Sequence, residues 1–402
     1  MNVVVSQNVI KNLVKMACHM KAWTFVLVVA LCPLVYVILF QQGVIYRDSS
    51  YGTDRAAVAL RVATQSPEPP MKRVLLVTYG RSGSTFLSYI LKETPDAFFF
   101  FEPLRALLIS VTRGMDVIMS YDAIGGNYFP PQELPVSNLT SYERHAVGVM
   151  NDLLNCDISK YPVTNFRSNH FLLHGDVAQV ANCLWSMVNA TYLHLSNYLQ
   201  CLLHFFYSCQ RAPLRVFKVI RLPVRSLFPL MRQFPDLSVI YLVRDPRAIL
   251  VSQRQLFGHA PLARDFCRMV VDDVQHMKLL TDTFPDRTLT VRYEDISTDP
   301  MEWTRRLYSA LGLKMTSQVL RSVRKMTSAP RQAEGAYTSF RSDSKEAGER
   351  WRTRIPLSDV IKSERVCGHA YKLLGYRKAS SKSVLRNLNI SLVEPRAELP
   401  LL

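Results

Sequence analysis

Residues 72–91 read KRVLLVTYGRSGSTFLSYIL, which is an apolar run, a short turn rich in glycine and serine, and a second apolar run. The first run is continuous in leucine and valine, as is typical of a strand buried on both faces of a parallel sheet. The second run has an apolar helical face over residues 85–92. This order of strand, turn and helix presents backbone N–H groups and a helix N-terminus to an anion.

The turn itself has the residues that an anion-binding loop requires. Gly80 and Gly83 permit backbone conformations and a close approach that a Cβ would block. Arg81 adds a delocalised charge with a fork of donors. Hydroxyl donors come from Ser82, Ser84 and Thr85. An ordinary strand-to-helix turn is the alternative, but the buried strand before the loop and the apolar helix face after it favour an anion site.

A nucleoside triphosphatase would need a different loop at this place. Its signature is G-x-x-x-x-G-K-[ST], together with an acidic residue that holds Mg²⁺ at a strand end. Here the two glycines stand three positions apart, and no lysine follows the second one. The loop therefore does not match a site for a metal-bound triphosphate.

A second cationic turn follows another apolar run, residues 238–243 (SVIYLV). It reads Arg244-Asp245-Pro246-Arg247, and Pro246 is favourable at a helix start because its missing N–H would have had no partner. Two cationic strand ends indicate a ligand with two separate anionic groups and no obligatory metal. We accordingly expect no metal site.

The rest of the chain alternates between strand and helix patterns. Further strands are predicted over residues 97–101, 215–220 and 288–293, and helices over residues 104–120, 142–155, 176–207, 262–284, 300–311 and 317–326. Such alternation predicts an α/β fold with a central, mostly parallel sheet covered by helices. We place this domain at residues 72–378 and a C-terminal tail without a strong pattern at residues 379–402.

The N-terminal part predicts a membrane anchor. Residues 22–40 are 19 residues without a charge, just enough for a helix to span a bilayer core. Lysines and no acidic residue precede this run, so the positive-inside rule keeps residues 1–21 in the cytosol. We expect a type II protein with a transmembrane signal anchor at 22–40 and a stem at 41–71. A buried core helix is the alternative for residues 22–40.

Composition is compatible with a lumenal domain that meets anionic partners. The formal net charge is +17, which favours partners such as nucleotides, acidic glycans or lipid, and the sequence contains no known nucleic-acid module. Three glycosylation sequons begin at Asn138, Asn189 and Asn389. Six cysteines follow the apolar segment, which suits disulfides in an oxidising compartment but leaves their pairing open. Free buried cysteines are the alternative, above all for Cys267.

Four motifs together resemble those of the Golgi carbohydrate sulfotransferases. They are YGRSGSTFL at residues 79–87, FEP at 101–103, YLVRDPRAILVSQ at 241–253 and VRYEDI at 291–296. The nearest resemblance is to the enzymes that sulfate the 6-hydroxyl of galactose, N-acetylglucosamine or N-acetylgalactosamine. Together, and in this order, the motifs are far more specific than any one of them.

The resemblance implies a P-loop-like three-layer fold and a Golgi membrane location. It also implies 3′-phosphoadenylyl sulfate (PAPS) as the sulfuryl donor and a glycan, glycosaminoglycan or glycoprotein as the acceptor. The loop from Gly80 to Phe86 would then embrace the 5′-phosphosulfate, while Arg244 and Ser252 would hold the 3′-phosphate. As partners we therefore expect the acceptor and the membrane, we allow for a homodimer, and we expect no nucleic acid.

Two residues are candidates for the chemistry of transfer. Arg81 is interpreted as an electrostatic clamp on the leaving phosphate, because an arginine keeps its charge and does not donate a proton. Glu102, at the end of the second strand, is the first candidate for the base that accepts the hydroxyl proton. A solvated or helix-capping glutamate is the alternative for Glu102.

Two other functions remain open on the sequence. A lumenal kinase or ATPase using the same loop would require ATP and Mg²⁺, and the missing lysine counts against it. A glycan-binding protein that keeps the fold without catalysis would show affinity and no turnover. The intact loop around Arg81 and the intact segment from Arg244 to Ser252 argue against that second alternative.

Overall fold

The computed structural model describes residues 71–105, 107, 136–159, 161, 177–188, 195–258, 260–333, 339–379, 381–395 and 397–402. The predicted cytosolic tail, the predicted membrane helix and all but the last residue of the predicted stem lie outside these residues, as does almost all of the helix predicted over 104–120. Within the described ranges, no helix has the length and apolar character needed to cross a bilayer.

Five parallel strands form the central sheet. In chain order they are β1 (Lys72–Thr78), β2 (Phe98–Phe101), β3 (Leu214–Val219), β4 (Leu237–Val243) and β5 (Thr288–Arg292). Their spatial order is β2-β3-β1-β4-β5, with every neighbouring pair parallel. The mostly parallel sheet predicted from the sequence is confirmed. In such a sheet, the crevice beyond the carboxyl ends of the central strands is the usual place for a ligand.

The helices connect and cover these strands. They are α1 (Ser84–Lys92), α2 (Ser141–Leu154), α3 (Val177–Val188), α4 (Leu195–Arg211), α5 (Leu227–Gln233), α6 (Pro246–Phe257), α7 (Ala263–Thr283), α8 (Tyr293–Thr298), α9 (Pro300–Ala310), α10 (Ser317–Thr327), α11 (Ser344–Glu349), α12 (Trp351–Arg354), α13 (Leu357–Leu374) and α14 (Lys382–Arg386). Short 3₁₀ turns lie at Val136–Asn138, Val224–Ser226, Pro285–Arg287 and Arg331–Ala333.

The alternation of side chains along the strands builds a core on each face of the sheet. In β1, Leu75 and Val77 belong to one core, with buried residues of α2, α4, α7 and α13. Val74 and Leu76 belong to the other, with residues of α1, α9 and α10. Both faces of the sheet are thus covered by helices, which gives three layers and explains the continuous apolar strands.

Three disulfides join the six cysteines that follow the predicted membrane segment: Cys156–Cys209, Cys183–Cys201 and Cys267–Cys367. The free-thiol alternative for Cys267 is therefore wrong. Cys183 lies in α3 and Cys201 in α4, with their Cα atoms 5.8 Å apart at a sequence separation of 18. One straight helix would separate such residues by about 27 Å. The single helix predicted over residues 176–207 is accordingly wrong, and two helices pack side by side instead.

The C-terminal segment packs on the domain. The guanidinium of Arg352 is fully buried and donates to carbonyl oxygens of Val384, Leu385, Asn387 and Ile390 at 2.8 to 3.0 Å. Leu399 is buried in the core that contains Leu75, and the N–H of Leu402 donates to the carbonyl of Thr290 at 2.9 Å. Buried apolar side chains of this segment, among them Leu385 and Leu392, add to these hydrogen bonds.

Candidate functional site

The loop after β1 has an unusual backbone. Arg81 has φ 75° and Gly83 has φ 90°, so two of its residues adopt the left-handed conformation. For Arg81 this conformation is uncommon, since a Cβ disfavours it, and it is typical of tight functional loops. Both the backbone N–H and the hydroxyl of Ser82 form hydrogen bonds within the loop. Its N–H and its hydroxyl bind the carbonyl oxygen of Tyr79, and the hydroxyl also contacts Thr78 Oγ1.

Helix α1 begins directly at this loop, with Gly83 as its N-cap. No side chain caps the helix, so Ser84 and Thr85 in its first turn present N–H groups of the kind that have no intrahelical acceptor. These groups and the helix dipole favour an anion at this position. Phe86, which was predicted to contact the donor, packs its side chain into the core formed with Val74.

Three residues that follow β4 contact the loop: Arg244 directly after the strand, and Ser252 and Gln253 in α6. Arg244 Nη1 donates to the Arg81 carbonyl at 2.9 Å, and Gln253 Nε2 donates to the Gly80 carbonyl at 3.0 Å. Ser252 Oγ accepts from Arg81 Nε at 3.0 Å. The two cationic strand ends predicted from the sequence therefore lie next to each other, because Arg244 and Ser252 both contact the loop residue Arg81.

Tyr293, the first residue of α8, contacts the same loop and was not identified from the sequence. A Cβ built on Gly83 would lie 2.2 Å from Tyr293 Cδ2, so only glycine fits under this ring. The guanidinium of Arg244 lies 4.5 Å from the centroid of the same Tyr293 ring, which is a cation–π distance. Arg244 Nε is buried and has no hydrogen-bond partner in the described part of the chain. The ring of Tyr293 thus fixes both the turn and the guanidinium.

Glu102 lies at the end of β2, as expected for a residue at the edge of the sheet. It has φ 48° and is 7% exposed. Its Oε2 accepts from Arg221 Nη1 at 2.7 Å, and its Oε1 contacts Lys218 Nζ. Lys218 Nζ also lies 4.2 Å from the ring centroid of Phe101. The carboxylate is therefore held between two cations at the end of β3.

This cluster is electrostatically connected to the donor loop. Burial lowers the pKa of Lys218, and the negative charge of Glu102 opposes that effect. The positive charges of Arg221 and Arg81 lower the pKa of Lys218 further. Because β3 lies between β2 and β1 in the parallel sheet, the carboxyl ends of these three strands lie side by side.

The motif at the end of β5 holds neighbouring elements together. Glu294 Oε1 accepts from the Asp245 N–H at 3.0 Å, and its Oε2 accepts from the Tyr376 hydroxyl at 2.8 Å. Burial, with a smaller effect of the Asp245 charge, raises the pKa of Glu294 to about 7. Asp295 pairs with Arg292. Glu294 thus connects the end of β5 to Asp245 and Tyr376, and Asp295 pairs within the same turn.

A segment after α10 extends to the same region. The Ser344 hydroxyl, at the start of α11, donates to the Ser297 carbonyl at 2.7 Å. A Cβ on Gly348 would meet Ser297 Oγ at 2.8 Å and Tyr293 Cε1 at 3.9 Å. Helix α11 therefore packs on α8, next to the ring that contacts the loop. Across the described ranges, no group of three or more His, Cys, Asp or Glu residues could hold a metal ion.

Residues 161–317 of the chain match the model of the sulfotransferase family. The chain is 27% identical to carbohydrate sulfotransferase 1 of Rattus norvegicus, over 82% of this chain and 85% of that protein. It is 30% identical to carbohydrate sulfotransferase 3 of the same organism over 47% of this chain and 44% of that protein. The crystal structure of mouse sulfotransferase SULT7A1 complexed with PAP covers 79% of this chain and 88% of its own, at 14% identity and a TM-score of 0.35. The similarity confirms the relationship indicated by the motifs: the carbohydrate sulfotransferases are homologues of this chain, and its match to the sulfotransferase family model covers residues 161–317.

Proposed function

We propose that this chain is an enzyme that transfers a sulfuryl group from PAPS to a hydroxyl group of a carbohydrate. The observation that carries this proposal is that Arg81 forms hydrogen bonds with both Arg244 and Ser252, in a homologue of carbohydrate sulfotransferases. These two hydrogen bonds connect the loop at the uncapped N-terminus of α1 to the second cationic strand end. A donor with two anionic poles matches that arrangement, and a metal-bound triphosphate does not.

The residues present fit the donor. The uncapped first turn of α1 supplies N–H donors for the 5′-phosphosulfate, and the absence of a Cβ at Gly83 lets Tyr293 pack against the turn. The Arg244 guanidinium, whose buried Nε has no partner in the described residues, would bind the 3′-phosphate with the Ser252 hydroxyl. Gly80 and Ser82 shape the loop, and Phe86 anchors it to the core.

Transfer forms a bond between the acceptor oxygen and sulfur, and it breaks the bond between sulfur and the bridging oxygen of the phosphate. The hydroxyl proton leaves to a base, and adenosine 3′,5′-bisphosphate is released. Arg81 would stabilise the negative charge that develops on the leaving phosphate, since fixed cations act most strongly where charge appears in the transition state.

Glu102 is the proposed base. Its contacts with Lys218 and Arg221 favour the ionised carboxylate, which is the form that can accept a proton. Because proton uptake would weaken both ion pairs, these cations also limit the strength of the base. Their position at the end of β3 keeps the carboxylate oriented at the edge of the sheet.

The finer assignment rests on the resemblance of the motifs. We propose that the acceptor is the 6-hydroxyl of a galactose, N-acetylglucosamine or N-acetylgalactosamine residue. We also propose that the protein is a glycoprotein of the Golgi membrane, anchored by residues 22–40, with its catalytic domain in the lumen. The three disulfides support an oxidising compartment.

The test is incubation of the full chain with radiolabelled PAPS and a panel of desulfated glycans. We expect label in at least one glycan and release of adenosine 3′,5′-bisphosphate in equal amount. ATP with Mg²⁺ serves as the comparison. Turnover of ATP without labelling of any glycan would contradict the proposal and support the kinase alternative, while glycan binding without turnover of either donor would support a non-catalytic protein.

A further inference from the structure

Asp273, in α7, is a buried carboxylate that the proposed transfer step does not use. Each of its oxygens accepts a hydrogen bond. Oδ2 accepts from the Tyr79 hydroxyl at 2.8 Å, and Oδ1 accepts from the Val224 N–H at 2.8 Å. Tyr79 directly follows β1, whereas Val224 lies shortly after β3. One side chain therefore connects the segments that follow two neighbouring strands.

Tyr79 precedes the donor loop and is attached to it. Its carbonyl oxygen accepts from the N–H and the hydroxyl of Ser82, at 3.3 and 2.7 Å. Its buried ring lies edge-on to the ring of Phe266, with the two centroids 5.3 Å apart. Because the Tyr79 hydroxyl has one proton and donates it to Asp273, the hydroxyl of Tyr241, 2.6 Å away, donates to Tyr79. The Tyr79 hydroxyl thus connects α7 with the start of the loop.

Val224 begins the 3₁₀ turn that follows the cationic end of β3. Three residues before it is Arg221, whose guanidinium donates to Glu102 Oε2 at 2.7 Å. The Arg221 carbonyl accepts from the Tyr142 hydroxyl at 2.7 Å. The backbone of this short segment is therefore held at one end by Tyr142 and at the other by Asp273, and it carries the partner of the proposed base.

The pairing of β1 with β3 ends before these two segments begin. Its last paired residues are Val77 and Val219. Tyr79 and Val224 both lie beyond that point, so their hydrogen bonds to Asp273 connect the two segments where the sheet no longer pairs them. Transfer requires the donor, the acceptor hydroxyl and the base in one alignment, and a displacement of about 1 Å costs about 100-fold in rate.

We propose that Asp273 is a positioning residue for sulfuryl transfer, which holds the donor loop in alignment with the segment that carries Arg221. This inference rests on the proposed function and adds a residue to it. Asp273 acts through the Tyr79 hydroxyl and the Val224 N–H. Ser82 binds the backbone of Tyr79 and not its hydroxyl, so the loop keeps its own hydrogen bonds when the hydroxyl is removed. Loss of the hydroxyl should therefore affect the rate of transfer more than the affinity for the donor.

The first test is Tyr79→Phe in the full chain, which removes the hydroxyl and keeps the ring. The matched control is Tyr308→Phe, another buried tyrosine, whose hydroxyl donates to the Ile90 carbonyl at 2.8 Å, near the end of α1 that is distant from the loop. We expect kcat to fall about 10- to 100-fold in Tyr79→Phe. The dissociation constant of adenosine 3′,5′-bisphosphate should change less than about threefold, since one net hydrogen bond at most is lost. Tyr308→Phe should change neither quantity.

Substitutions of Asp273 itself provide the second test. Burial raises the pKa of Asp273 to about 7, so the assays are run at about pH 8, where the carboxylate is ionised. Asp273→Ala removes both contacts. In Asp273→Asn the amide oxygen can accept from Val224 and the amide nitrogen can donate to the Tyr79 oxygen, so this variant should recover most of the turnover that the alanine variant loses. The double variant Tyr79→Phe with Asp273→Ala should be no slower than Asp273→Ala alone, because both changes break one contact.

Hydrogen–deuterium exchange tests the connection without turnover. Exchange in peptides that cover residues 222–228 should accelerate about 3- to 10-fold in Tyr79→Phe, as expected when one buried hydrogen bond is lost, and should stay unchanged in Tyr308→Phe. Unchanged exchange in Tyr79→Phe would overturn the inference. Equal losses of turnover and nucleotide affinity would also overturn it, since Tyr79 would then only shape the loop, and so would losses that multiply in the double variant. Accelerated exchange in a chain that transfers no sulfuryl group would contradict the proposed function and confirm the connection through Asp273.

Discussion

Replacement of Gly83 by alanine is the sharpest test of how the donor loop is built. The added methyl group would lie 2.2 and 2.3 Å from two ring carbons of Tyr293, far inside van der Waals contact. The backbone at this position has φ 90°, which an alanine adopts at a cost. The ring cannot move without disturbing Arg244, whose guanidinium lies 4.5 Å from its centroid. The loop must therefore shift, and the N-terminus of α1 with it.

Two other glycines allow the two costs to be separated. Gly258 has φ 75° and open space where the methyl group of an alanine would lie, so Gly258→Ala measures the backbone cost alone. That cost is about 1–2 kcal/mol. Gly148 lies inside α2 with open space and no positive φ, and alanine there should stabilise the protein by about 0.5–1 kcal/mol. Crowding at Gly83 adds about 1–3 kcal/mol to the backbone cost, giving about 2–5 kcal/mol in all.

The assay is calorimetric binding of adenosine 3′,5′-bisphosphate, together with the urea dependence of unfolding. We expect Gly83→Ala to weaken nucleotide binding at least tenfold, since a tenfold change requires only about 1.4 kcal/mol of the total cost. Gly258→Ala and Gly148→Ala should bind the nucleotide like the wild type. Wild-type affinity in Gly83→Ala, with a loss of stability no greater than in Gly258→Ala, would refute the role of the contact with Tyr293.

Three further variants test individual groups. Arg81→Ala should lower turnover by about 100-fold or more at an unchanged unfolding midpoint, and Arg81→Lys should fall between it and the wild type; near-normal turnover in the alanine variant would refute the clamp. Glu102→Gln should lower turnover by about 100-fold or more with little change in donor affinity, whereas an equal loss in both would point to a structural role. Burial raises the pKa of Asp273 from 3.8 to about 7, with the charge of Asp272 adding to this, so the folded state retains a proton that the unfolded chain has lost. The free energy of unfolding should therefore fall as pH rises from about 4 to 7, with a slope that is smaller by up to about 1.4 kcal/mol per pH unit in Asp273→Asn; identical slopes would contradict this.

The sequence predicted the strands well because each is a short, continuous apolar run, and a strand buried on both faces needs little else. Strand β4 was expected at residues 238–243 and lies at Leu237–Val243. The helical prediction over residues 176–207 failed, since an apolar pattern does not show where one helix ends and a second begins. The disulfide between Cys183 and Cys201 supplies that information only when the pairing is known. The loop around Arg81 was found because its pattern is local.

Contacts between distant residues explain what the sequence left undetected at the site. Tyr293 belongs to a motif that was recognised, yet its function depends on the missing Cβ of Gly83, which lies far away in the chain. Gln253 is similar, since its side-chain amide, in α6, donates to the Gly80 carbonyl in the loop after β1. Neither residue type indicates a ligand by itself. A residue that positions a loop can be identified only when the fold is known, because the contact depends on residues that are distant in the sequence.

The same contacts give a physical reason for an arginine at position 81. Ser252 Oγ accepts from Arg81 Nε at 3.0 Å, which orients the planar guanidinium from its inner nitrogen. Its two outer nitrogens then have directions fixed by the plane of the group. A lysine would have to share one nitrogen between Ser252 and the phosphosulfate, and its flexible stem would leave the charge less well placed. Position 81 therefore carries a cation that the protein orients through Ser252, and the intermediate turnover expected for Arg81→Lys follows from this difference.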